Sequence, residues 1–338
     1  MSSKKIYFAI IPFLVLILLA GAGLLGVHRY INTVPSVRQD IVLEINKGEG
    51  LKTISAKLQS SGVIMSDKLF ILYIMYKGLQ DTLKAGEYEF KKGSTMSEVA
   101  RKITKGDVIV YKFTIPEGLT LGEIGALLQD NHVAGKEEFI RLTRDKELQA
   151  ELLPDGAAGF EGYIFPDTYS YTRGVTELEL IKIMVDRFNS VYSSLGTAGG
   201  DVNLTDNEIL TLASIIEKET GDASERALVS AVFHNRLRIG MKLDSDPTVI
   251  YGLGEDFNGR LTRSDLKRRT QYNTYLIKGL PPGPIANPGK DSIAAALNPA
   301  DVDFLYFVSK GDGTHQFSSN YQDHQRAVIN YRKLKNNP

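Results

Sequence analysis

Two glutamates, Glu217 and Glu219, end the apolar run Ile209-Leu210-Thr211-Leu212-Ala213-Ser214-Ile215-Ile216. A carboxyl set among apolar neighbours loses hydration of its charged form, and one in the last turn of a helix meets the negative end of the helix dipole. Both effects favour the protonated acid, the state a general acid needs near neutral pH. The run reads as a helix. Thr205 followed by Glu208 is a capping-box pattern, so the helix begins near Asp206 and stops before Gly221. At helical spacing Leu210, Ala213 and Ser214 share a face with Glu217, whereas Leu212, Ile215 and Ile216 share one with Glu219. Spacing does not choose between the two carboxyls, and a solvated Glu-Lys-Glu helix end is the plain alternative.

The elements around this helix follow from the rest of the chain. A Ser/Gly-rich stretch from Ser193 to Ala198-Gly199-Gly200 reads as a loop separating it from a helical segment at 177–192. Upstream, three segments share one pattern of strand, glycine turn and helix. They run from Glu44-Ile45-Asn46-Lys47-Gly48 to Leu58, from Phe90-Lys91-Lys92-Gly93 to Ile103, and from Ile115-Pro116-Glu117-Gly118 to Leu128. A second echo relates Lys84-Ala85-Gly86-Glu87-Tyr88-Glu89-Phe90 to Gly159-Phe160-Glu161-Gly162-Tyr163-Ile164-Phe165, as an internal duplication would. No charged residue falls between Ile6 and Val27; as a helix that segment is about 33 Å long against a hydrocarbon core of about 30 Å. Lys4 and Lys5 precede it and Arg29 follows, which favours a cytoplasmic N-terminus, with a cleaved signal peptide ending near Ala20-Gly21-Ala22 as the alternative. Either places the body outside the cytoplasm.

Composition removes several function classes. Lys plus Arg and Asp plus Glu both total 40, so no global basic excess points to nucleic acid. Without cysteine there is no thiolate nucleophile, disulfide or cysteine-based zinc site, and the five histidines form no HExxH pattern, so no metal is expected. The basic run Arg260, Arg263, Lys267, Arg268, Arg269 reads as a solvated face. Phe304-Leu305-Tyr306-Phe307-Val308 reads as a buried strand before a turn at Gly311-Asp312-Gly313, with His315 structural or cleft-lining and His324 exposed at the start of a last helix.

The phrase Leu212-Ala213-Ser214-Ile215-Ile216-Glu217-Lys218-Glu219-Thr220 resembles the catalytic phrase of endolytic murein transglycosylases of the MltG (YceG-like) family. The resemblance extends in order through Gly159-Phe160-Glu161-Gly162-Tyr163 with Phe165-Pro166-Asp167-Thr168-Tyr169, Leu243-Asp244-Ser245-Asp246-Pro247-Thr248, Tyr272-Asn273-Thr274-Tyr275 and Gly279-Leu280-Pro281-Pro282-Gly283-Pro284-Ile285. The three upstream repeats resemble LysM modules, although Gly93-Ser94-Thr95-Met96 and Gly118-Leu119-Thr120-Leu121 lack the acidic turn residue. The family resemblance implies that Glu217 is the catalytic acid and that the substrate is a glycan strand. A cleft for such a strand needs stacking faces and hydrogen-bonding side chains, for which Asp246, Thr248, Tyr251, Gln271, Asn273 and Tyr275 are the candidates, with the Pro281-Pro282-Gly283-Pro284 segment as a rigid wall. Asp246 before Pro247 would equally cap a helix, and Tyr251 would equally belong to the core. Glu161 reads first as a structural partner.

The expected fold is α+β: a transmembrane helix and its flank over 1–32, a LysM-like αβ region over 33–150 that contributes positioning or weak glycan affinity and no chemistry, and a mainly helical catalytic domain with short strands over 151–338. The resemblance implies non-hydrolytic cleavage of the β-1,4 bond between N-acetylmuramic acid and N-acetylglucosamine, giving a 1,6-anhydro end without metal or organic cofactor. It also implies a single-pass protein of the cytoplasmic (inner) membrane, with its body on the extracytoplasmic side and partners in glycan strands, that membrane and proteins of peptidoglycan synthesis. Two other readings remain. A muramidase would need a second carboxylate such as Glu161 or Asp246 to activate water, and a non-catalytic, membrane-anchored scaffold would need none.

Overall fold

The computed structural model describes residues 3–196 and 203–336, so the expected loop at Ala198-Gly199-Gly200 lies outside the described residues. The chain clusters into two compact units, one running to Tyr111 and taking in Ser170–Gly174, the other comprising Lys112–Tyr169 and the residues from Val175 onward.

The first unit opens with α1 (Ser3–Thr33). Its segment Phe13–Thr33 is the candidate membrane span among the described residues, and its leucines stay exposed on every side, as in Leu16, Leu18, Leu19, Leu24 and Leu25. There follow β1 (Ile41–Ile45), α2 (Leu51–Ser60), α3 (Asp67–Tyr76), β2 (Gly86–Phe90) and α4 (Met96–Lys105). β1 and β2 pair antiparallel from Ile41 opposite Phe90 to Ile45 opposite Gly86. The apolar spacing read from the sequence is the burial seen: Ile54 and Leu58 of α2, Phe70 and Ile74 of α3, and Val99 and Ile103 of α4 close one core with Tyr88 and Phe90. α4 starts at the Thr95–Glu98 capping box and ends at Gly106, whose φ of 74° is left-handed.

The order β1-α2-α3-β2 corrects the repeat pattern. The second "strand" of the sequence repeats is β2, which closes the first sheet and leads into α4. The third repeat supplies β3 (Tyr111–Thr114) and α5 (Leu121–Asp130), followed by α6 (Lys136–Thr143), α7 (Lys146–Leu152) and β4 (Thr168–Tyr171), with β3 and β4 paired. The larger echo does not carry a common structure. Gly86–Phe90 is strand, whereas residues 159–165 form consecutive turns ahead of β4. The third repeat's glycine turn, Gly118, belongs to the second unit.

That unit continues with α8 (Glu177–Ser194), α9 (Asp206–Glu219), α10 (Arg226–Arg238), α11 (Asp246–Leu253), α12 (Lys290–Leu297), β5 (Tyr306–Ser309), β6 (His315–Ser318) and α13 (Tyr321–Asn336). α9 begins at the expected capping box, Thr205 with Glu208, and ends at Thr220. Ile209 through Ile216 are all buried, with α10, α11 and α12 packed against α9 and Phe188 and Val191 of α8 in the same core. A helix apolar on every side belongs at the centre of its domain. β5 and β6 form the expected hairpin, but β5 is only partly buried. The whole is mixed helical with a few short strands.

Candidate active site

The last two turns of α9 act as a hub for three other segments. Ser214 Oγ accepts the Ile285 N–H at 3.0 Å, Lys218 Nζ donates to the Gly118 carbonyl at 3.1 Å, and Ser245 Oγ donates to Glu219 Oε1 at 2.5 Å. Glu217 Oε2 accepts the N–H of Gly289 at 2.9 Å, at the N-terminus of α12. That terminus presents N–H groups without intrahelical partners, and one of them is taken up by Glu217. Glu217 Oε1 lies 3.6 Å from Arg226 Nη2. Its side chain is 7% exposed and Arg226's is 11%, so the pair is sheltered from screening by solvent.

Arg226 serves three carboxyls. The same Nη2 lies 3.8 Å from Glu117 Oε2, and Nη1 lies 3.6 Å from Asp291 Oδ2. Its buried Nε has no partner among the described residues. Burial first, and then the charge of Glu217, raise the Glu117 carboxyl above its ordinary value, while Arg226 acts in the opposite direction.

A second carboxyl, Glu161, anchors a cleft of about 300 Å³ lined by Tyr251, Tyr272, Arg144, Gly283 and Pro284. It accepts the Leu121 N–H at 3.0 Å, the Tyr251 hydroxyl at 3.1 Å and the Asn287 amide at 2.8 Å. Burial nevertheless pushes it up to about 8. Asn287, fully buried, uses its whole amide: Nδ2 also donates to the Leu119 carbonyl, and Oδ1 accepts from Gly162 and Ile164. Backbone bonds join Gly118 to Asn287 and Asn287 to Leu119. The segments at 117–121, 161–164 and 285–289 are thus one hydrogen-bonded assembly, carrying Glu161 at one place and Glu217's partner Gly289 at another.

The six expected cleft residues do not form one group. Tyr251 lines the Glu161 cleft, its ring edge-on to Tyr272 at 4.7 Å between centroids. Tyr275 donates to Asp246 Oδ1 at 2.7 Å, next to Ser245 and Glu219. Asp246 is the first residue of α11 and does not cap it, contrary to its alternative reading, because Ser245 takes the capping position. Thr248 and Asn273 are fully buried: the Thr248 hydroxyl bonds the Ser245 carbonyl and Thr274, and the Asn273 amide donates to the carbonyls of Leu266 and Arg268. Their polar atoms shape the segment from behind. Gln271 is exposed. Of the Pro281-Pro282-Gly283-Pro284 segment, Gly283 and Pro284 line the Glu161 cleft, and His315 is held by Glu225 at 2.7 Å.

Glu117, Arg226, Asn287 and Gly289 were missed as site residues. One signal for Glu117 was present. The first two repeats place a lysine before the turn glycine, Lys47-Gly48 and Lys92-Gly93, and the third places Glu117-Gly118. Arg226 and Asn287 had no comparable signal, since their roles depend on contacts far apart in the chain.

A family model described as the YceG-like family matches residues 43–330. The chain belongs to that family. It is 32% identical over 335 residues to a protein of Bacillus subtilis (strain 168) named endolytic murein transglycosylase, covering 95% of this chain and 92% of that one. A protein of the same name from Streptococcus pneumoniae serotype 2 is 31% identical over 363 residues, 97% of this chain and 66% of its own length. The 2.6 Å crystal structure of a YceG-like protein from Listeria monocytogenes matches with a TM-score of 0.56 at 30% identity, over 85% of this chain and 98% of that one. As a YceG-like protein, the chain carries Glu217 in the phrase that resembles the family's catalytic one.

Proposed function

We propose that this YceG-like protein is an endolytic peptidoglycan lytic transglycosylase, a lyase cleaving the β-1,4 bond between N-acetylmuramic acid and N-acetylglucosamine inside glycan strands, in the service of cell wall assembly. The observation that carries the residue assignment is the placement of Glu217: one oxygen on the Gly289 N–H, the other beside Arg226, in a sheltered position. In its protonated form Glu217 gives its proton to the glycosidic oxygen as the C1–O bond breaks and positive charge develops at C1. The C6 hydroxyl of the same muramoyl residue then bonds to C1 and returns its proton to Glu217, which ends as it began. The internal hydroxyl takes the place of an activated water, so no second proton-transfer carboxylate is required. Tyr251, with Tyr272 and the Gly283-Pro284 wall, offers sugar-stacking surface, and Asp246 with Tyr275 offers polar contacts.

The division of labour follows the same reading. α1 anchors the chain in the cytoplasmic membrane with the body on the outer side, next to the proteins of peptidoglycan synthesis; its all-round exposed apolar surface supports a lipid-facing role. The β1-α2-α3-β2 order supports a LysM-like positioning module in the region upstream of the catalytic domain.

Digestion of purified glycan strands by the full chain and by Glu217→Gln tests the proposal. Anhydro ends from the wild type and none from the variant support it. Reducing ends would make the protein a muramidase, and intact strands would make it a scaffold.

A further inference from the structure

The region upstream of the catalytic helix was expected to do no chemistry, yet it delivers a carboxyl to Glu217. Glu117 Oε2 and Glu217 Oε1 lie 3.8 and 3.6 Å from one nitrogen, Arg226 Nη2, so they are no further apart than the sum of those distances. That ceiling lies below the widest separations used by the carboxyl pairs of glycoside hydrolases, about 9.5 Å. The loop bearing Glu117 is fixed rather than loosely draped. Pro116 precedes it, and the next residue, Gly118, donates its N–H to Asn287 and accepts Lys218 Nζ on its carbonyl. Lys218 is the neighbour of Glu217 in α9, so the same helix holds both carboxyls.

Gly289 supplies an independent sign that this placement is built in. Its backbone is ordinary, with φ of −76°, yet a Cβ there would lie 1.9 Å from Glu117 Oε1. The Glu117 carboxyl therefore occupies the space a side chain would take, while the N–H of the same glycine holds Glu217. The two carboxyls differ in one respect. Glu217 is 7% exposed, but Glu117 is 49% exposed and accepts no hydrogen bond among the described residues beyond its looser ion pair. Its side chain is therefore half open to solvent.

We propose that Glu117 is the second carboxyl of the active site, facing the scissile sugar and stabilising the positive charge that develops at C1 and the ring oxygen, without forming a bond or carrying a proton. The inference rests on the assignment of Glu217 and deepens it. The cation lives only while the C1–O bond to the leaving sugar is broken and the bond from the C6 oxygen is not yet made. A fixed negative charge therefore favours the transition state over the bound substrate. Arg226 holds both carboxyls in place from behind, and the proton passes only between Glu217 and the two sugar oxygens.

The test uses the full-length protein on purified glycan strands, with Glu117→Gln, Glu117→Asp and wild type compared after Glu217→Gln has been shown inactive. We expect Glu117→Gln to lower kcat about a hundredfold or more with KM changed only severalfold, thermal unfolding close to wild type, and the residual product still anhydro-ended. Glu117→Asp should recover part of the loss, because it restores the charge at a slightly shorter reach. Retention of kcat within about threefold in Glu117→Gln overturns the inference. So does a loss of kcat that Glu117→Asp does not relieve and that tracks a lowered unfolding temperature, since that marks a structural brace for Arg226. Failure of the Glu217 assignment reads differently: Glu217→Gln would itself remain active.

Discussion

Glu217 and Glu219 leave α9 within one turn of each other but meet different groups. Glu217 receives a backbone N–H and a guanidinium, whereas Glu219 receives the Ser245 hydroxyl and faces the charge of Asp246. The sequence could not separate them, because the face argument presumes one open side and α9 is buried on all sides. Only distant residues, Gly289 and Arg226, distinguish the two. Glu217→Gln is expected to abolish cleavage, a loss at or above the roughly 10²–10⁴-fold typical of general acid catalysis, with the fold kept. Strand digestion read alongside thermal unfolding checks this, and near wild-type release of anhydro ends would remove Glu217 from the role. Glu219→Gln has a different signature. Burial pushes the Glu219 carboxyl up to about 7 from 4.5, so between those values the folded chain binds more protons than the unfolded one. Stability carried by this group is therefore complete below about 4.5 and is lost as pH rises through about 7. Glutamine keeps an acceptor for Ser245 but does not titrate. Unfolding temperatures across that window should decline less steeply in Glu219→Gln than in wild type; parallel slopes would show that some other group causes the decline.

At the scale of elements, the one cap read from the sequence, Thr205–Glu208, opens α9 as expected. Thr95–Glu98, Thr120–Glu123 and Thr176–Glu179 open α4, α5 and α8 by the same capping box, a signal the sequence also carried. Turns carrying function were less legible, because their conformations answer to distant packing. The segment at 159–165 looks like β2 in sequence and forms turns instead, since Asn287 claims the N–H groups of Gly162 and Ile164. Gly162 sits at φ 90°, and a Cβ there would lie 2.6 Å from Pro284 Cγ, an atom of a rigid ring in the cleft wall. Gly162→Ala should thus combine backbone strain with a collision that cannot relax cheaply, lowering stability by about 1–3 kcal/mol. Denaturant unfolding measures the loss, and an unchanged midpoint would mean that the wall yields. Gly289→Ala is the contrasting case. Its backbone is unstrained and the obstructing atom is the end of a half-exposed side chain, so the carboxyl of Glu117 swings away and the fold holds. Activity should fall at least about tenfold with little change in unfolding temperature, in line with the cost of misplacing a group by about 1 Å.

Over the whole molecule, the apolar segment near the N-terminus was the plainest feature of the sequence, but its junction with the body was not. α1 runs unbroken to Thr33, and its last turn is already part of the first unit: Ile31 is 5% exposed in the core, and the Tyr30 hydroxyl lies 3.1 Å from Met65 Sδ. A boundary drawn from hydropathy at residue 32 cuts through that packing, because hydropathy marks where apolar residues stop and not which of them meet protein instead of lipid. Two truncations separate these roles. A chain starting at residue 29 sheds the exposed leucines and keeps Ile31, whereas one starting at residue 33 loses a buried isoleucine worth about 1.5–3 kcal/mol. Both are expected to remain in solution without detergent, because each has shed the exposed leucines Leu16, Leu18, Leu19, Leu24 and Leu25. Only the shorter chain should show an early loss of the first unit on heating, followed by calorimetry or by amide exchange at Ile45 and Tyr88. If the chain starting at residue 29 still required detergent, α1 would not be the sole anchor. If the two melted alike, Ile31 would contribute nothing and the junction would be a simple tether.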